Sequence, residues 1–134
     1  MNIMKNTENE QNVESTRGFV YYLPETDIYE TTNEYKILFD LPGIEKEDIN
    51  IKVEKDVLTL TAEYKKEPIQ NYECLKEEMD FVGYQRSFNL NGTVDSEKIQ
   101  ADYINGSLSL LLPKREEQKT KEIKINIAWY FKKL

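Results

Sequence analysis

Few side chains in this sequence are of types that could do covalent or acid–base chemistry. The 134 residues include one cysteine, Cys74, and no histidine, so the usual general base for a serine or cysteine nucleophile is absent. Adjacent acids occur at Glu77-Glu78 and Glu116-Glu117, but both pairs lie in highly charged runs, which are typical of a solvated face rather than of a catalytic pair. No glycine-rich phosphate loop and no ligand set with zinc spacing is present. We therefore expect no enzyme activity, no bound metal and no cofactor.

The residue types that favour binding lie near the end of the chain. Ile123, Ile125 and Ile127 are spaced by two residues and therefore share one face of an extended segment. The stretch before them, residues 114–122, is highly charged and predicts a solvated linker. The triplet predicts a β-strand with an apolar face and no neighbour in sequence, although a helical stripe that continues to Leu134 also fits the spacing. Such a strand packs either on its own domain or on a neighbouring chain.

Charge is distributed unevenly along the chain. Of the net −7, residues 114–134 contribute +4, from seven Lys or Arg and three Glu, so residues 1–113 contribute −11. An acidic body argues against nucleic-acid binding, which depends on cations that neutralise phosphates. A basic tail favours docking on an acidic body, its own or a neighbour's. The charged fraction of 32% and the polar N-terminus predict a cytoplasmic protein without stable membrane insertion.

The elements that must position these residues are predicted to be β-strands. Asn105-Gly106 lies between two apolar-alternating runs and predicts a tight hairpin, because this dipeptide supplies the positive φ angles of a two-residue turn. On the outgoing arm Leu108, Leu110 and Leu112 share one face. Pro113 ends the strand because it has no N–H to donate.

Strand patterns continue through most of the chain. Ile49, Ile51 and Val53 alternate with polar residues and predict a half-buried strand. Further strands are expected at residues 27–31, 35–40, 57–62 and 84–90, with a short edge strand at residues 72–76. Seven to nine short strands with almost no helix predict an all-β fold of the β-sandwich class. The predicted division is a flexible arm at residues 1–20, a sandwich at residues 21–115 and an extension at residues 116–134.

The chain resembles the small heat-shock protein, or α-crystallin, family over about residues 21–127. The family's terminal signature is Ala, three residues, Asn-Gly, one residue, Leu and soon Pro-Lys. This chain meets it with Ala101, Asn105, Gly106, Leu108, Pro113 and Lys114. Further matches are Asp27-Ile-Tyr-Glu-Thr31, Asp40-Leu-Pro-Gly43, Asp48-Ile49, Leu58-Thr-Leu60, and Arg86-Ser-Phe88 with Leu90. The chain departs from the pattern at Met79, where Arg is usual, at Val82, where Gly is usual, and at Asn91, where Pro is usual.

The resemblance implies an immunoglobulin-like sandwich that forms homodimers, in which the strand at residues 72–76 is exchanged into the partner's sheet. The dimer-interface residues that it implies are Tyr72, Cys74, Leu75 and Arg86. Cys74 is most simply a small apolar strand residue, and an oxidation-dependent cross-link to a partner is the alternative. Arg86 is equally well interpreted as a strand residue paired with an acid.

The resemblance also implies a larger assembly and an activity. The oligomer anchor would be Ile123, Ile125 and Ile127, docked in a groove of a neighbouring dimer. The groove residues that it implies are Ile49, Ile51, Val53, Ile99 and Ala101. The implied activity is ATP-independent holding of partly unfolded client proteins.

Two other functions fit the residues. A structural assembly protein of the spore-coat or shell type could use the same sandwich without broad client binding, because the polar N-terminal arm offers few apolar client contacts. A stabiliser of lipid surfaces is suggested by the aromatic, basic tail at Trp129-Tyr130-Phe131. These aromatics could also extend the docking strand or contact clients.

Overall fold

The computed structural model describes residues 13–16, 19–78 and 81–128, which contain nine strands and three short 3₁₀ helices. The strands are β1 (Val13–Thr16), β2 (Phe19–Tyr22), β3 (Thr26–Glu30), β4 (Glu34–Asp40), β5 (Ile49–Glu54), β6 (Val57–Glu63), β7 (Phe81–Asn89), β8 (Gln100–Ile104) and β9 (Ser107–Pro113). The helices are Lys46–Asp48, Ser96–Lys98 and Glu116–Gln118.

The strands form two sheets that pack face to face. One sheet has the order β1-β2-β7-β6-β5 and the other has the order β3-β4-β9-β8. Among the described pairs only β2 and β7 run parallel, and the others are antiparallel. The predicted all-β, immunoglobulin-like sandwich is confirmed. Strands β5 and β8 are edge strands, one in each sheet.

The predicted hairpin joins β8 to β9. Asn105 and Gly106 have φ angles of 48° and 81°, as a two-residue turn requires. The three leucines of β9 are buried, as their alternation predicts. Leu108, Leu110 and Leu112 are each 0–2% exposed and belong to the core. Each leucine faces a large apolar partner on β4, in the pairs Phe39–Leu108, Ile37–Leu110 and Tyr35–Leu112.

The second sheet closes the core from the other side. Leu58 and Leu60 of β6 are fully buried, and Phe88 of β7 is 2% exposed. The rings of Phe39 and Phe88 join the two sheets, with centroids 6.0 Å apart. Burial of these side chains is the main favourable contribution to the fold.

The N-terminal stretch differs from the expected flexible arm. Its described residues form β1 and the first half of β2, which pair with each other and add to the edge of β7. The composition of residues 1–20 predicted a flexible arm, but an edge strand depends on backbone pairing more than on apolar side chains. Tyr21 at the end of this stretch donates a hydrogen bond from its hydroxyl to Oε1 of Glu63, 3.0 Å away.

Two other predicted strands are absent from the described chain. Residues 72–76 and residues 123–127 have neither strand nor helix in this structure. Both segments have strand-forming side chains, but neither is paired with a strand of the described residues. A strand needs backbone hydrogen bonds to a neighbouring strand as well as suitable side chains, which is why these predicted strands do not form here.

Candidate functional site

An apolar groove lies between β5 and β8, an edge strand of each sheet. It has a volume of about 390 Å³ and is lined by Ile51, Lys52, Val53, Leu58, Ser96, Ile99, Ala101 and Leu110. Ile51, Val53 and Ile99 are half-buried and pack partly against the core, while their outer surfaces face the groove. The groove can therefore accept apolar side chains without rearrangement of the sandwich.

The lining of the groove on β8 ends at Ala101, and the next residue on the same face of that strand is Tyr103. The hydroxyl oxygen of Tyr103 lies 2.7 Å from the carbonyl oxygen of Ile44 and 3.0 Å from that of Leu41, so its single O–H proton is shared between these two acceptors. The burial of its ring and the nearby carboxylates of Glu45 and Asp40 raise the pKa of the Tyr103 hydroxyl. The tyrosine thus stays protonated and able to donate.

The structure brings together four of the five residues expected to form the groove. Ile51, Val53, Ile99 and Ala101 line it, whereas Ile49 does not and instead packs against the core. Sequence reasoning missed the floor, which is formed by Leu58 and Leu110. It also missed Tyr103, although its position two residues after Ala101 places it on the same face.

The other end of the groove opens at Ser96 into a polar depression. This depression has a volume of about 360 Å³, and its lining includes four carboxylates and one guanidinium, from Asp95, Glu97, Glu116, Glu117 and Arg115. Asp95 caps the adjacent 3₁₀ helix by accepting a hydrogen bond from the backbone N–H of Glu97, 3.3 Å away. The groove is therefore apolar along its length and polar at its open end.

The isoleucine triplet of the extension is exposed. Ile123, Ile125 and Ile127 are 89%, 91% and 71% exposed, so they do not pack on their own domain, and they do not form the helical stripe that the spacing also allowed. Contiguous exposed apolar surface is uncommon on monomeric soluble proteins and often marks an interaction site.

The extension leaves the sandwich at a fixed point. The backbone N–H of Lys114 donates to the carbonyl oxygen of Asn33, at 2.8 Å, and that of Arg115 donates to the carbonyl oxygen of Thr93, at 2.9 Å. The ammonium of Lys114 lies 2.6 Å from a carboxylate oxygen of Glu30. This lysine is the main reason that the pKa of Glu30 is lowered. Burial, with a hydrogen bond to Glu30, raises the pKa of Tyr35 to about 12.

The residues expected at a dimer interface fall into two places. Tyr72 and Leu75, which are 80% and 90% exposed, and the exposed thiol of Cys74 lie in the long loop between β6 and β7. Arg86 lies half-buried on β7, with its guanidinium 5.0 Å from the ring centroid of Phe88 and a nitrogen 3.5 Å from the carbonyl oxygen of Pro24. Met79 and Trp129-Tyr130-Phe131 lie outside the described residues.

The two-sheet sandwich with an edge groove and a trailing extension defines an α-crystallin-type domain. The model of the Hsp20/alpha crystallin family matches residues 27–128, and the chain belongs to that family. Family membership supports a chaperone role in general terms.

The chain is similar to several relatives along most of its length. It is 34% identical over 106 residues to small heat shock protein C4 of Rickettsia felis, a match that covers 77% of this chain but only 64% of that protein. It is 37% identical over 102 residues to a probable 15 kDa heat shock protein of Leptospira interrogans, covering 76% of this chain and 77% of that one. A crystal structure of a small heat-shock protein from Xylella fastidiosa matches with a TM-score of 0.60 and 30% identity, over 80% of this chain and 97% of that chain.

Within the described residues, no helix has the length and apolar character needed to cross a membrane.

Proposed function

We propose that this protein is an ATP-independent holdase that binds partly unfolded proteins and works as an oligomer of dimers. The observation that supports this proposal is the presence, in one chain, of an open apolar groove and an exposed isoleucine triplet that its own domain leaves uncovered. A second copy of the chain would supply an isoleucine triplet to fill the groove and a groove to cover the triplet. Assembly then proceeds through the extension of one dimer, residues 116–134, docked on the sandwich of another, residues 21–115.

The energetics favour a reversible contact. Each buried isoleucine contributes about 1.5–3 kcal/mol, from which the cost of ordering the extension and of association must be subtracted. A single docked extension is therefore weak. Many such contacts in a closed particle reinforce one another through high effective concentration, although each one can still open.

Opening of these contacts provides the client-binding surface. A vacated groove presents the apolar side chains of Ile51, Val53 and Ile99 between two strand edges that have unpaired backbone groups. An unfolded segment matches such a surface, because it has both exposed apolar side chains and free backbone N–H and C=O groups. Burial of side chains and addition of a strand are then available together, and no nucleotide is needed.

The dimer is proposed to form through the long loop between β6 and β7. Tyr72 and Leu75 are exposed strand-forming residues that pair with no strand of the described residues, so a partner's sheet edge is the element that would order them. Arg86 would lie at the receiving sheet. The single cysteine is free and exposed, which suits a reducing compartment such as the cytoplasm.

The test is protection of an unrelated enzyme that aggregates on heating, followed by light scattering in the absence of ATP. We expect suppression of scattering at equimolar subunits. A full-length variant with Ile104→Ser is a suitable control, because Ile104 is 68% exposed but does not line the groove, and it should protect as well as the unaltered chain.

The mass of the particle, measured on the same samples, distinguishes a holdase from a structural assembly protein. A large oligomer that gives no suppression would contradict the holdase proposal and favour the structural assembly protein of the shell type. Suppression by a protein that remains dimeric would contradict the proposed anchor while leaving client binding intact.

A further inference from the structure

We propose that the extension of a neighbouring chain docks in either of two registers, which share Ile125 and differ in whether Ile123 or Ile127 fills the second position. This inference rests on the proposed docking in trans. The triplet contains three isoleucines, whereas the groove has apolar positions for two.

The length of the groove sets this limit. Each wall supplies two apolar residues spaced by two, Ile51 with Val53 on β5 and Ile99 with Ala101 at the start of β8. At about 3.3 Å per residue, such a pair spans about 7 Å along a strand. The triplet spans about 13 Å in an extended conformation, also from the strand rise. Two neighbouring isoleucines match the walls and the third extends beyond them.

The apolar lining does not continue beyond either end of the groove. At one end the lining on β8 stops at Ala101, and the next residue on that face, Tyr103, directs its hydroxyl to the carbonyl oxygens of Leu41 and Ile44 in the segment that precedes β5. At the other end, beyond Ser96, the lining changes to the carboxylates of Asp95 and Glu97. An aliphatic side chain gains little there, since those carboxylates retain their water.

The two registers present nearly the same chemistry to the groove. In one register Lys124 lies between the docked Ile123 and Ile125, and in the other Asn126 lies between the docked Ile125 and Ile127. In an extended segment both spacers point away from the face that the isoleucines share. The side chains that enter the groove are therefore identical in the two cases.

The registers differ in how far the connecting chain must reach. The 3₁₀ helix at Glu116–Gln118 follows Arg115, and its backbone hydrogen bonds hold the chain as far as Lys119, so the first docked isoleucine is four residues further on in one register and six in the other. At full extension these lengths correspond to about 13 Å and about 20 Å. Two registers thus permit two spacings between linked dimers and predict a particle that is not uniform in size.

The test compares the masses of serine variants of the full chain by native mass spectrometry, with a dilution series for each. Ile123→Ser and Ile127→Ser each remove one of two registers, so each should keep the oligomer and weaken each contact about twofold. Ile125→Ser removes both registers and should give dimers. The double variants Ile123→Ser with Ile125→Ser, and Ile123→Ser with Ile127→Ser, should also give dimers.

The outcomes separate failure of this inference from failure of the proposed docking. If Ile123→Ser alone or Ile127→Ser alone yields dimers, the extension has one fixed register and the inference is wrong, while docking stands. If Ile125→Ser and both double variants keep the mass of the unaltered chain, the triplet does not anchor the oligomer and both proposals fail. All of these substitutions lie on exposed side chains, so loss of folding does not confuse the result.

Discussion

Two triplets in this chain have the same spacing and opposite environments. Leu108, Leu110 and Leu112 are 0–2% exposed, whereas the isoleucines at positions 123, 125 and 127 are 71–91% exposed. The leucines belong to a strand that is paired on both sides, with β4 and β8. The isoleucines pair with none of the strands in the described part of the chain. Period-two spacing therefore places apolar side chains on one face of an extended segment. Whether that face is buried depends on which other elements pack against it.

The two triplets should therefore contribute to different processes, the leucines to folding of the domain and the isoleucines to association of chains. The leucine triplet contributes to the folded state of each domain, because its side chains leave water when that domain folds. The isoleucine triplet leaves water only if a second chain covers it, so its contribution is proposed to depend on protein concentration. Substitutions in the two triplets should therefore have different effects.

The largest expected effect follows from Leu110→Ala. Leu110 is fully buried opposite Ile37, so truncation leaves a cavity and should lower the free energy of unfolding by about 2–5 kcal/mol. Denaturation in urea measures this loss. Ile125→Ala is the matched control, and at concentrations too low for assembly it should change the unfolding free energy by less than about 0.5 kcal/mol. Equal losses at the two positions would show that the two triplets do not differ as described.

A smaller effect is expected at the boundary between the covered core and the open groove. Tyr103→Phe keeps the ring but removes the hydroxyl that donates to Leu41 and Ile44, and it leaves their carbonyl oxygens without this donor. The loss should be about 1–2 kcal/mol in the free energy of unfolding, also measured in urea. Tyr29→Phe, at a 55% exposed tyrosine on β3, is the control and should leave that free energy nearly unchanged. A loss of the same size in both variants would argue against a specific bridge at Tyr103.

Much of the sandwich could be predicted because its signals are local. Asn105-Gly106 determines a turn by its own φ angles, and the alternation of β5 and β9 determines which side chains face inward. Gly43, with a φ of 78°, likewise follows Pro42 in a turn, and a glycine takes up this positive φ without strain. Each of these features depends on residues that are adjacent in sequence.

The remaining features depend on which elements meet in space. Leu58 and Leu110 form the floor of the groove although one is on β6 and the other on β9, and no sequence period links them. Ile49 has the same alternation as Ile51, yet it packs against the core and does not line the groove. The strands β1 and β2 were missed for a similar reason, since their pairing depends on an available edge of β7 rather than on their own composition.

The claim that the triplet of one chain occupies the groove of another is tested most directly by cross-linking between two differently tagged versions of the full chain. Both contain Cys74→Ser, which removes the native thiol. One also contains Ala101→Cys in the groove wall, and the other contains Ile125→Cys in the triplet. After mixing and mild oxidation, we predict a disulfide between the two tagged chains. Little or none should form when Ile104→Cys, on the same strand but outside the groove lining, replaces Ala101→Cys. Equal cross-linking of the two pairs, or none from the groove position, would contradict docking in trans.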